Sequence, residues 1–126
     1  METLISQLCK EVKSVGRDTN AQELIDTISW DKISCVVVYD EDKQVIGVIT
    51  EKDMVFAESL GIKKRDIKSW QICSRDIINI GPEDTILGAA TLMIENKVHH
   101  VLVMTGDYVE GVVTSLDILK EMLESR

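Results

Sequence analysis

The chain has 126 residues, 44% of them hydrophobic and 29% charged, the balance of a folded globular protein and not of a disordered segment. Its net charge of −8 offers no basic surface to a phosphate backbone, so the acid excess reads as a solvating surface and nucleic acid is not an expected partner. No apolar run approaches the roughly 18 residues that a bilayer-spanning helix needs, and no membrane association is expected. Cys9, Cys35 and Cys73, without CxxC spacing or a secretory leader, point to a reducing, cytoplasmic setting. Cys35 heads the run Val36-Val37-Val38 and reads as a small buried hydrophobe; none of the three lies in a nucleophile context.

In chain order, residues 2–10 place Leu4, Ile5 and Leu8 on one side of a short helix, and a brief extended segment follows around Val12 and Val15. From 19 to 30, Ala21, Leu24, Ile25 and Ile28 recur at helical spacing and predict an amphipathic helix. The β-branched run 34–39, the acidic turn Asp40-Glu41-Asp42-Lys43 and residues 44–49 predict a hairpin. Thr50 then caps a second helix, continued by Met54, Val55 and Ala57 and ended by Gly61. Residues 62–75 form a connector whose basic cluster, Lys63-Lys64-Arg65, reads as a solvated turn. Beyond it, 77–80 is a short strand and Pro82-Glu83-Asp84 opens a helix running to Asn96. Residues 100–104 and 108–113 make a second hairpin, and 115–125 the last helix.

The order strand, helix, hairpin, helix thus occurs twice, and the residues repeat with it. Gly47-Val48-Ile49-Thr50-Glu51-Lys52-Asp53 returns 64 positions later as Gly111-Val112-Val113-Thr114-Ser115-Leu116-Asp117, and 19–28 aligns with 84–93 at an offset of 65. The difference falls in the hairpin turns, where Asp40 to Lys43 is one residue longer than Thr105-Gly106-Asp107, and loop tips tolerate such insertions. Units of about 60 residues are marginal alone, so the copies are expected to share a core, packed sheet to sheet as a pseudo-twofold pair. The expected class is α+β, with a first unit over 1–61 that includes the short N-terminal helix, a connector over 62–75 and a second unit over 76–126.

Gly-apolar-apolar-Thr-x-x-Asp ends the hairpin in both copies, where a strand runs into a helix. The first amides of a helix lack internal partners and sit at the positive end of its dipole, so a phosphate can dock there beside the threonine hydroxyl. The aspartate three residues on has two acceptor oxygens, the shape that takes both hydrogens of a ribose diol. Thr50 with Asp53, and Thr114 with Asp117, are therefore candidate nucleotide ligands. Thr-x-x-Asp is also a capping box, and the motif alone favours that role; capping boxes prefer Glu or Gln at the last position, so the shorter Asp in both copies weakens the purely structural explanation.

The element order, the segments Asp76-Ile77-Ile78-Asn79-Ile80-Gly81-Pro82-Glu83-Asp84-Thr85-Ile86 and Asn96-Lys97-Val98-His99-His100-Val101-Leu102-Val103, and the two closing motifs resemble a tandem pair of cystathionine β-synthase (CBS) domains. The resemblance runs from about residue 10 onward. It is closer in the second copy; the first has Arg17 in place of Pro82 and Ser34-Cys35 in place of His99-His100. It implies a regulatory sensor with no required cofactor, in which AMP, ADP, ATP or S-adenosylmethionine lies in clefts between the copies and shifts their relative orientation. One site would join Thr50 and Asp53 to Ile78, Asn79 and Ile80, and the other Thr114 and Asp117 to Lys13, Ser14 and Val15. The resemblance further implies a phosphate role for His99 and His100 and a homodimer formed through the helices; Met54, Phe56, Leu119 and Met122 are candidates for that surface, with a core role for some of them as the alternative. A regulated protein partner would complete the system.

Apart from the resemblance, adjacent strand residues point to opposite faces, and no third ligand stands at suitable spacing from His99 and His100, so no metal site is expected. One histidine would then be a satisfied core residue and the other would lie near the seam. Lys13, Arg17 and Arg75, close to the opening strands, are further phosphate candidates. There is no assembled Ser-His-Asp set, P-loop or dinucleotide fingerprint, so no catalytic residue is assigned and a binding module is expected, not an enzyme. The alternative is a ligand-independent oligomerisation or protein-interaction module.

Overall fold

The computed structural model describes residues 3–125. Their contacts fall into two compact units: Lys13–Ile77, and the residues from Ile78 onward together with those up to Val12. Each unit holds one three-stranded sheet.

In the Lys13–Ile77 unit, β1 (Lys13–Gly16) runs parallel to β2 (Cys35–Tyr39), which pairs antiparallel with β3 (Val45–Thr50). A parallel pair needs a crossover, and α1 (Ala21–Thr27) supplies it. The Asn20 side chain accepts from the Glu23 amide at 2.9 Å, so this helix starts later than the residue pattern from Thr19 suggests, and it ends where Ile28 turns extended. Ala21 and Leu24, one turn apart, are fully buried against Val38 and Ile49 of the sheet and Ala57 of α2 (Glu51–Ser59). Ile25, expected on the same face, is exposed instead.

Residues 62–75 are more than a connector. A 3-10 turn, Lys64–Asp66, leads into the one-turn helix α3 (Ser69–Ile72), and Ile67, Ser69 and Ile72 are buried. Ser69 docks the segment on the unit: its amide and hydroxyl both donate to the Thr19 carbonyl, at 2.8 and 2.6 Å. Three buried side chains spread over six residues are too few to register as a period.

The other unit repeats the order with β4 (Asn79–Ile80), α4 (Ile86–Asn96), β5 (His100–Thr105), β6 (Tyr108–Thr114) and α5 (Ser115–Glu124). β4 is parallel to β5, and β5 is antiparallel to β6. α4 begins four residues beyond Pro82, because Pro82-Glu83-Asp84 forms a turn in which the Asp84 carboxylate accepts from the Gly81 amide at 2.9 Å, and Thr85 takes over as the cap.

Residues 5–10 do for this unit what 69–74 do for the other. The expected N-terminal helix is a 3-10 turn, Ile5–Gln7, whose Ile5 is fully buried among Ile86, Ala89, Val101 and Ile118. Lys10 exchanges two backbone hydrogen bonds with Val112 (3.1 and 2.9 Å), as Ser74 does with Val48 (2.8 and 3.0 Å). The early segment therefore packs with the second copy of the repeat, whereas its place in the chain suggests the first.

This docking accounts for the glycines of the repeated motif. A Cβ on Gly111 would lie 2.6 Å from Cys9 Sγ and against the Lys10 carbonyl; one on Gly47 would lie 2.8 Å from Cys73 Sγ and against the Ser74 carbonyl. Only a residue without a side chain lets the crossing backbone come so near. Among the described residues, no helix is long and apolar enough to cross a membrane.

Candidate functional site

The two Thr-x-x-Asp motifs sit where β3 meets α2 and β6 meets α5, with Thr50 and Thr114 in extended conformation as the cap residues. Asp53 Oδ2 accepts from the Thr50 amide at 2.9 Å, and Asp117 Oδ2 accepts from the Thr114 amide at 2.8 Å. Each carboxylate thus folds back with one oxygen, as a capping box requires.

Beyond that shared bond the two copies differ. Thr114 Oγ1 accepts from the Asp117 amide at 3.3 Å and completes the box, while the Thr50 hydroxyl makes no cap and donates to Asp53 Oδ2 at 3.2 Å. Asp117 Oδ1 accepts from Lys10 Nζ at 3.2 Å. Among the described residues, Asp53 Oδ1 has no hydrogen bond or ion pair. The repeat explains why: the place that Lys10 holds beside Val112 is held in the other copy by Ser74 beside Val48, and Ser74 has no charge to offer. Sequence reasoning passed over Lys10, although Cys9-Lys10 and Cys73-Ser74 stand at the same 64-residue offset as the main motif and carried the signal.

The other expected site residues are placed as follows. Lys13 and Ser14 are exposed on β1, and Val15 packs toward the core of its own unit. Asn79 is exposed, Ile80 is a core residue, and Ile78 packs against that core. The Arg17 guanidinium lies 5.4 Å from the Trp70 ring centroid and 4.0 Å from Glu41, over a pocket also lined by Asp18, Glu23 and Asp40; this many carboxylates around one cation disfavour a phosphate. Arg75 donates to the Trp70 carbonyl at 3.5 Å.

His99 is exposed, and its carbonyl accepts from the Ser115 amide at 2.8 Å, fixing the start of α5. With Met93, Ile94, Lys97 and Val98 it borders a cavity of about 420 Å³. His100 pairs with Thr114 across the sheet and does not line that cavity. No group of three His, Cys, Asp or Glu side chains suited to a metal occurs among the described residues.

Burial, helped by the negative Glu110, pushes the Cys9 thiol up, and burial does the same for Cys73 although Arg75 opposes it. A raised thiol holds less thiolate at neutral pH, so alkylation of both should be slower in the native chain than in urea, and its pH midpoint should lie above that of the unfolded chain. Mass spectrometry of iodoacetamide-treated protein reads this for each cysteine. Equal native and unfolded rates would show that the thiols are open to solvent.

The family model of the CBS domain matches residues 5–59 and 66–124. The chain belongs to the CBS-domain family. The fold agrees: a CBS-domain-containing protein of Agrobacterium tumefaciens superposes with a TM-score of 0.83 at 25% identity, over 97% of this chain and 95% of that one. The CBS domain pair of protein MJ0100, solved with 5′-methylthioadenosine and S-adenosyl-L-methionine, gives a TM-score of 0.81 at 21% identity over 95% and 99%. Inosine-5′-monophosphate dehydrogenase of Nitrosopumilus maritimus is 24% identical over 106 residues, 83% of this chain and 21% of that enzyme. This CBS pair spans 33%, 21% and 34% of three curated relatives that it matches, so the likeness is to a part of each. CBS pairs are regulatory modules, and the two CBS matches account for nearly all of this chain.

Proposed function

We propose that this CBS pair is a regulatory sensor of adenosyl ligands in which Asp53 and Asp117 receive the ribose hydroxyls. The observation that carries the reading is the division of labour within Asp53: Oδ2 caps the helix while Oδ1 has no partner among the described residues, so capping and ligand binding do not exclude each other. The adenosyl ligands of the MJ0100 pair support the ligand class. Ile78, Asn79 and Ile80 with the Asp53 site, Lys13, Ser14 and Val15 with the Asp117 site, and His99 and His100 toward phosphate complete the proposal. AMP, ADP, ATP and S-adenosylmethionine are the ligands to try. Regulation follows only as far as the ligand binds alternative conformations unequally.

A thermal-shift series with those four ligands tests it. A ligand at a hundred times its Kd stabilises the folded chain by about 2.7 kcal/mol, well within detection. Asp53→Asn keeps an acceptor for the Thr50 amide but loses the ionised carboxylate, and should weaken binding at that site roughly tenfold or more. No shift with any of the four at millimolar levels would sink the sensor reading.

The exposed apolar side chains favour a second reading, self-association or docking to a protein partner without ligand. Val55 and Phe56 on α2 and Leu116, Leu119, Met122 and Leu123 on α5 are all about half exposed or more. Met54 takes the core alternative and packs against the core of its own unit. Sedimentation velocity across a concentration series, with and without AMP, separates ligand-independent association from sensing.

A further inference from the structure

The two ends of the repeat are alike in sequence and unlike in state, and the difference lies in groups already named. At α5 every polar group of the motif is engaged: Thr114 Oγ1 by the Asp117 amide, Asp117 Oδ2 by the Thr114 amide, and Asp117 Oδ1 by Lys10 Nζ. At α2 the threonine makes no cap and the outer carboxylate oxygen has no partner among the described residues.

We infer that Lys10 is a specificity-determining residue that sets the two sites apart, so that adenosyl ligand fills the Asp53 site at lower concentration and binds the Asp117 site in competition with the Lys10 ammonium. This rests on the sensor reading above. A diol hydroxyl donates its hydrogen to a carboxylate lone pair, and the ammonium on Asp117 Oδ1 both occupies one of that oxygen's acceptor sites and offsets the charge that would strengthen the bond. Lys10 keeps its side chain about half exposed and Asp117 is 18% exposed, so the pair is accessible and separable, and not a buried fixture. The inference does not depend on a general acid excess, because the equivalent position in the other copy is Ser74, whose hydroxyl accepts from the Asp76 amide at 3.4 Å. Arg75 also acts electrostatically on Cys73, but it donates to the Trp70 carbonyl and makes no ion pair with Asp53 among the described residues. Asp53 is close enough to act electrostatically on Cys73, which places the Ser74 segment within reach of it.

The exchange of these two residues is the test. Isothermal titration with each of AMP, ADP, ATP and S-adenosylmethionine should resolve two events in the wild-type chain, the tighter weakened roughly tenfold or more by Asp53→Asn and the weaker by Asp117→Asn. Lys10→Ser should strengthen the weaker event by up to about fivefold, the range of an exposed ion pair, and Ser74→Lys should weaken the tighter one by a similar factor. Raising salt from low to physiological should narrow the gap in the wild type and leave Lys10→Ser unchanged, a response that a merely structural role of Lys10 would not give. Circular dichroism melts confirm that both variants fold. Two wild-type events of equal affinity, a weaker event unmoved by Lys10→Ser, or one made worse by it would overturn the inference while leaving the sensor reading intact. The absence of any binding would remove both.

Discussion

Gly111→Ala is expected to cost about 1–3 kcal/mol of stability, the range of forced overpacking, and Gly47→Ala about as much. At the end of β1, Gly16→Ala should be neutral or stabilising by up to about 1 kcal/mol, because it only restricts the unfolded chain. The contrast comes from surroundings and not from backbone conformation: neither Gly47, Gly111 nor Gly16 has positive φ, and a Cβ on Gly16 meets nothing within 4 Å. At Gly111 the new methyl must push both on Cys9 Sγ and on the Lys10 carbonyl, and that carbonyl is held by the Val112 amide at 2.9 Å. The sulfur can be removed and the carbonyl cannot. Adding Cys9→Ala to Gly111→Ala should therefore recover only part of the loss. Urea denaturation midpoints for the four variants decide the matter; a Gly111→Ala chain as stable as Gly16→Ala would show that no close crossing exists there.

Ile5→Ala should be the costlier single change, at about 2–5 kcal/mol, since a fully buried isoleucine leaves a cavity that its neighbours fill only in part. The location of the damage is as informative as its size. Ile5 stands ahead of the first copy of the repeat, yet it packs among Ile86, Val101 and Ile118 of the second. Hydrogen exchange should accordingly lose protection across β5, β6 and α4 while β2 and β3 keep theirs. Loss confined to residues 13–77 would contradict the placement of this segment.

The hairpins and the order of elements were legible because β-branched runs and acidic or glycine turns are local signals, and the repeat supplied each of them twice. Helix starts were less so: Asn20 and Thr85 compete as caps with residues just upstream, and the side-chain hydrogen bonds that choose between them are not written in apolar spacing. The segment 62–75 and the docking of residues 5–10 were not legible, since a few apolar residues in one or two turns carry no period and their partners are remote in the chain. The same limit applied to the candidate site. Thr50, Asp53, Thr114 and Asp117 announced themselves by repetition, whereas the Lys10 to Asp117 contact joins residues 107 apart and only the crossing of the chain brings them together.

That crossing has a consequence for biosynthesis. The stretch carrying Ile5 and Lys10 leaves the ribosome before either copy, but the sheet that receives it is completed only when β6 has been made. Lys13–Ile77 can collapse in the meantime as a finished block, with Ile5 waiting in solvent. The last folding event is then the capture of early polypeptide by late polypeptide, and at high concentration the vacant groove of one nascent molecule can equally accept the waiting strap of another.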